Sequence, residues 1–251
     1  MPPEVSLLIT CASLVVATIA QRVVGMGFGI IMAPVVAIVA GPYSAVLVVN
    51  LFAALACALM VPYLWRDIDW GRLLWLVVPA SFGSIVGLLL ARVTDADVLR
   101  LGVGVAAILG VVVSVVFERG EHTVDAAAAR TASGTTIGIL NSAVALGAPA
   151  IAVYSMLSRW SGPSFSATMQ PFWVVLSLMT LLQRQVIAPG GAPAWPWWGW
   201  ACAAMATVVG SITAERVAHR VTPRAARLAV IVLSLTAGLS VTGVGIFGLL
   251  G

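Results

Sequence analysis

Apolar residues in this chain run in stretches too long and too continuous for the amphipathic helices of a water-soluble domain, and short polar knots divide them. In the first half the runs cover residues 5–19, 30–40, 43–64, 73–91 and 101–117. The second half follows the same plan, with runs at 131–144, 148–157, 165–182, about 197–217 and 228–250. Since about 20 apolar residues span the hydrocarbon core of a bilayer, the pattern predicts an all-α polytopic membrane protein. The first two runs of each half are too short to be ordinary spans and read as pieces of a broken hairpin.

The breaks have a chemical cause. Gly25-Met26-Gly27-Phe28-Gly29, followed by Pro34, sits between the first two runs. Gly costs about 1 kcal/mol and Pro about 3 kcal/mol relative to Ala inside a helix, so the chain is predicted to break there and to turn again at Gly41-Pro42. In the second half Gly147-Ala148-Pro149 and Gly162-Pro163 punctuate the chain in the same order, and Gly147 lies 120 positions after Gly27. This spacing predicts two homologous halves, residues 1–118 and 131–251, joined by a polar connection at 119–130. Each half would hold one broken, re-entrant hairpin and three spanning helices. Gly83-xxx-Gly87 and Gly134-xxx-Gly138 are small-residue faces that admit close helix approach.

Composition narrows the function. Hydrophobic residues make up 61% of the chain, charged residues only 9%, and the mean hydropathy is +1.08. No room remains for a soluble domain. All 13 basic residues are arginine and the isoelectric point is about 9.5, which in a soluble chain would suggest nucleic acid. Here the arginines cluster in loops and read as topology signals, with no nucleic-acid partner expected. Putting the 216–227 loop in the cytoplasm and letting both hairpins re-enter places more arginines inside than a crossing does, so the halves are expected to have opposite orientation and both termini to be extracytoplasmic. The start of the chain lacks a positive segment and a cleavage site, so the first helix is expected to stay. Cys11, Cys57 and Cys202 are isolated packing residues, and His122 and His219 fall in separate polar connections; no metal or cofactor is expected. Trp195, Trp197, Trp198 and Trp200 read as an interfacial anchor.

Matched helix breaks offer a site for an anion. Free N–H groups at a helix N-terminus, with roughly half a positive charge, can cradle one, and glycine lets a ligand approach the backbone. The candidate substrate-binding residues are Arg22, Gly25, Gly27, Gly29, Asn50, Asn141, Ser142, Gly147, Ala148, Tyr154 and Gln170. Arg22 has two readings: an anion contact near the first break, or a charge snorkelling to the interface beyond the end of the first helix. No span carries a centred carboxylate, and no phosphate loop, zinc-protease motif or nucleophile elbow is present, so an enzyme is not expected.

With these residues in view the chain resembles the sulfite exporter TauE/SafE family over essentially its whole length. The resemblance rests on Gly25 to Gly29 with Pro34, on Tyr63-Leu64-Trp65-Arg66-Asp67-Ile68-Asp69-Trp70 leading to Gly83 and Gly87, and on Gly134 and Gly138 through Gly147-Ala148-Pro149 to Tyr154. It implies a secondary transporter in the bacterial cytoplasmic membrane that exports sulfite or an organosulfonate, with lipid and a small anion as partners. Import of a related anion, proton coupling and a homodimer stay open. A membrane scaffold is the alternative of a different class, and it gives no reason for paired breaks. Phe28 and the run Ala145 to Pro149 depart from the family's commoner pattern where the anion would be held.

Overall fold

The chain breaks at Gly25 and Gly27 and turns at Gly41 as expected, whereas Pro34 is carried inside a helix, as Pro62, Pro79 and Pro171 are in theirs. The computed structural model describes residues 3–25, 27–116, 127–218 and 223–250; Met26, His122, His219, Arg220 and most of the 119–130 connection lie outside these. Among the described residues the order is α1 (Pro3–Val24), α2 (Phe28–Ala40), α3 (Pro42–Leu64), a 3-10 turn (Trp65–Asp67), α4 (Trp70–Val93), α5 (Ala96–Val116), α6 (Ala127–Val144), α7 (Ala148–Leu157), α8 (Gly162–Ile187), α9 (Trp197–Ala218) and α10 (Pro223–Leu250). Several boundaries differ from expectation: α5 starts at Ala96, α8 runs on to Ile187 and takes Arg184 into its last turn, and α10 starts at Pro223. Helix α1 continues to Val24, which puts Arg22 in its last turn. Helix α6 starts at Ala127, because a run of alanines, the best helix formers, lies at what was expected to be the end of the connection.

Among the described residues four helical segments are long and apolar enough to cross a bilayer: Glu4–Arg22, Pro42–Asp67, Trp70–Val93 and Gly162–Ile187. The protein is therefore a multi-pass membrane protein. At 1.5 Å per residue the 22 residues of α1 extend about 33 Å, whereas the 13 of α2 extend about 20 Å and fall short of the hydrocarbon core.

Helix α2 folds back along α1, and Ser6 Oγ near the start of α1 donates to the Val39 carbonyl near the end of α2 at 3.5 Å. The open end of this hairpin lies with the α2–α3 turn, the α4–α5 turn and the α8–α9 connection: Tyr43 Oη donates to the Thr94 carbonyl and Ser44 Oγ to the Gly191 carbonyl, both at 2.8 Å. The α6–α7 hairpin opens toward the other end. There the Arg72 guanidinium lies 4.8 Å from the Trp160 ring centre, and the Asp69 N–H donates to Thr168 Oγ1 at 2.8 Å.

Glycines bring these elements together. The two small-residue faces singled out in the sequence meet each other: a Cβ on Gly83 would collide with the Thr135 carbonyl, one on Gly87 with Ser142 Oγ and the Ile139 carbonyl, and one on Gly138 with the Ala80 carbonyl. Helices α4 and α6 thus touch backbone to backbone, which maximises dispersion where lipid leaves no hydrophobic drive between helices. Helix α1 lies along α9 in the same sense, with Gly210 against Val15 and Thr18. Hydroxyls inside the helices are satisfied by their own backbone, as in Thr10 to Ser6 O (2.8 Å), Thr18 to Leu14 O (2.7 Å) and Thr207 to Ala203 O (2.9 Å).

Of the tryptophan cluster, Trp197 and Trp198 are exposed and Trp195 is buried. Trp195 packs against Trp200 with ring centres 5.1 Å apart.

Candidate functional site

At the first break the backbone reverses at Gly25, whose φ of +78° is open to glycine at no cost, and its N–H returns to the Gln21 carbonyl at 2.8 Å. A Cβ there would also stand 3.0 Å from Ser166 Cα, so the position is crowded as well as left-handed. The buried Gln21 side chain holds the break together. Its Oε1 accepts from the Phe28 N–H at 3.3 Å, capping α2, while Nε2 donates to the Gly25 carbonyl at 3.1 Å and faces Cys57 Sγ at 3.7 Å.

The second break repeats this backbone with a different residue. Ala145 takes the left-handed conformation at φ +59°, and its N–H returns to the Asn141 carbonyl at 2.9 Å. Helix α7 then starts at Ala148, and the Ile151 N–H reaches back to the Gly147 carbonyl at 3.5 Å, as the Ile31 N–H does to Gly27 at 3.1 Å.

The tips of the two hairpins touch. A Cβ on Gly29 would lie 2.8 Å from the Ala145 carbonyl oxygen, so only glycine allows this approach. Between the tips lies a cavity of about 20 Å³, with room for about one water molecule. Its walls come in pairs 120 positions apart: Gln21 and Asn141, Gly27 and Gly147, Phe28 and Ala148, Ala53 and Trp173, Cys57 and Ser177; Gly29, Val49 and Ala145 complete it. The first turns of α2 and α7 start at this cavity, and the N–H groups of such turns have no partners within their helix. None of the lining residues is charged.

Of the residues singled out in the sequence, Gly27, Gly29, Asn141, Gly147 and Ala148 line the cavity. Gly25 shapes the break behind it. Asn50 is one hydrogen bond away, accepting at Oδ1 from Asn141 Nδ2 at 2.8 Å and donating to the Val46 carbonyl at 2.8 Å. Four lie elsewhere. Arg22 pairs with Glu215 of α9, Nε to Oε1 at 2.5 Å and Nη2 to Oε2 at 3.3 Å. Ser142 turns toward α4 and bonds the Gly138 carbonyl at 2.9 Å. Tyr154 is buried in a second apolar cluster beside Phe165 and Phe172. Gln170 donates to the Ser166 carbonyl at 3.0 Å, while its Oε1 is buried without a partner.

Sequence reasoning passed over Gln21, Cys57, Trp173 and Ser177. The 120-residue offset was the signal that could have found Gln21, since it stands in the first half where Asn141 stands in the second. Trp173 brings a buried indole N–H with no hydrogen-bond partner, a donor of the kind an anion could use. Among the described residues no three His, Cys, Asp or Glu side chains gather as a metal site would require.

Comparison with curated proteins and with solved structures returns no match. A family model described as Sulfite exporter TauE/SafE matches residues 10–241, a span that takes in both breaks and the pairs of residues around the cavity. The chain belongs to the sulfite exporter TauE/SafE family of membrane transporters.

Proposed function

We propose that the protein is a secondary carrier that exports a small sulfur oxyanion, sulfite or an organosulfonate, across a bacterial cytoplasmic membrane, holding it between the two hairpin tips. The observation that carries this reading is the pairing of the cavity walls, in which five pairs of residues 120 positions apart face one space. Inverted repeats with broken helices place substrates near the midplane of the bilayer, and hairpins that open toward opposite ends fit such a pair. Each half-helix N-terminus contributes about 0.3–1 kcal/mol toward an anion, up to about 2 kcal/mol when partly buried. The Ser177 hydroxyl and the Trp173 indole N–H add neutral donors, and the Gln21 and Asn141 amides, which donate to Gly25, Cys57, Asn50 and Thr180 in this form, would join them by exchanging those bonds.

Neutral donors hold an anion less tightly than a buried cation does, which suits a site between tips that must part to load and release it. The cavity is smaller than any sulfur oxyanion, so the present form is closed, and loading requires the Gly29 and Ala145 tips to part. With no acid among the lining residues, a proton would travel on the substrate, as hydrogensulfite, rather than on a carboxylate. Net direction follows the combined gradients, so the same device can import. The test is flux of labelled sulfite, sulfoacetate, taurine and sulfate in proteoliposomes with and without a pH gradient. Saturable sulfite or sulfonate flux is expected, and flux of none of them would overturn the reading. A scaffold would go on working with Gly27→Leu and Gly147→Leu.

A further inference from the structure

Burying a guanidinium without a carboxylate is costly, and Arg184 is in that position. It stands in the last turn of α8 at 4% exposure. Its Nη2 donates to the Gly190 carbonyl at 2.7 Å, its Nε has no partner, and no acid pairs with it among the described residues. What it faces increases the cost. Gly191, with φ +71°, is wedged between Nη2 and the first turn of α3: a Cβ there would lie 2.6 Å from Nη2 and 3.3 Å from Tyr43 Cβ. Helix α3 has no side chain capping its N-terminus, and Pro42 opens it, leaving the Tyr43 and Ser44 amides ahead of the first intrahelical bond at Ala45. The negative end of α8 and the positive end of α3, about half a charge each, roughly cancel. A full positive charge then has one neutral carbonyl to answer it.

The location connects this charge to the cavity. Ser177, Thr180 and Arg184 share one face of α8 at helical spacing, and all three are buried. Ser177 lines the cavity and Thr180 Oγ1 accepts from Asn141 Nδ2 at 3.4 Å. From Ser177 to Arg184 is about 10 Å along the helix axis. The polar stripe leads from the hairpin tips to the end of the molecule where the α8–α9 connection lies.

We propose that Arg184, with the first-turn amides of α3, forms a second anion site, a waiting station for a small oxyanion on the route between the cavity and that end. That the occupant is the transported anion rests on the carrier reading above; the existence of an anion site there does not.

The test is the stoichiometry of ³⁵S-labelled sulfite binding to the purified full chain in nanodiscs. Two sites per chain are expected for wild type. Arg184→Gln is expected to remove one, and Asn141→Leu the other. Arg184→Lys keeps the charge, is expected to hold the second site at reduced affinity, and separates loss of a site from loss of the fold. Two unaltered sites in a monodisperse Arg184→Gln protein would overturn the proposal, as would a single wild-type site that survives this change. If sulfite flux is absent from proteoliposomes while Arg184-dependent binding persists, the second site stands and the carrier reading falls.

Discussion

The Asn141 amide of α6 donates to the Asn50 carboxamide of α3 at 2.8 Å, joining the last turn before the second break to the middle of a spanning helix from the other half. Both residues are nearly inaccessible. A polar link in so apolar a setting sets the position of the tip it holds.

Removing one partner strands the other. Asn141→Ala should leave Asn50 Oδ1 buried without its donor and cost about 1–3 kcal/mol. Thermal unfolding in detergent would show it. The double change Asn50→Leu with Asn141→Leu should cost less than the two single leucine changes added together, since no polar group is left unpaired. Strict additivity would contradict the link.

The backbone reversals predict opposite responses at equivalent positions. Ala145 adopts a left-handed conformation that costs an L-residue about 1–2 kcal/mol. Ala145→Gly should therefore be neutral or stabilising by up to about 1 kcal/mol, relief outweighing the added freedom of the unfolded chain. Gly25→Ala should destabilise, because it adds the same strain and drives a Cβ against Ser166. Equal shifts of the melting temperature in the two variants would contradict these conformations.

Arg22 belongs to a pair with Glu215 and stands away from the cavity. Arg22→Gln should lower stability by about 1 kcal/mol or less, the usual value for a partly exposed ion pair, and leave KM for the anion unchanged. The exchange Arg22→Glu with Glu215→Arg should restore the lost stability. A several-fold rise in KM for Arg22→Gln would put the guanidinium back at the substrate.

What the sequence shows of this molecule follows from how locally each feature is encoded. The helix breaks were legible because clustered glycines act where they stand, although Pro34 stays inside α2, and the Gly83 and Gly134 faces were legible as contact surfaces because spacing alone makes them. That these two faces meet each other was not legible, since nothing local names a partner. Arg22 illustrates the same limit. Its acid lies 193 positions away, so the sequence offers an anion contact and a charge snorkelling to the interface as its two readings and gives no sign of the ion pair. Gln21 stands at the tail of a helix, where nothing local marks it, and only the 120-residue offset that pairs it with Asn141 points to it. Ser142 and Tyr154 are polar and near a break, yet helical geometry turns one toward α4 and the other into an apolar cluster.

The central claim is that an anion passes through the space between the tips, and the most direct measurement is sulfite flux in proteoliposomes with that space plugged. Ala53 lines the cavity, and Ala53→Leu adds three carbons to a volume of about 20 Å³. Saturable ³⁵S-sulfite flux is expected for wild type and for Arg22→Gln, and flux near that of empty liposomes for a monodisperse Ala53→Leu protein. Ala53→Leu transporting at the wild-type rate, or wild type showing no saturable flux, would contradict the account.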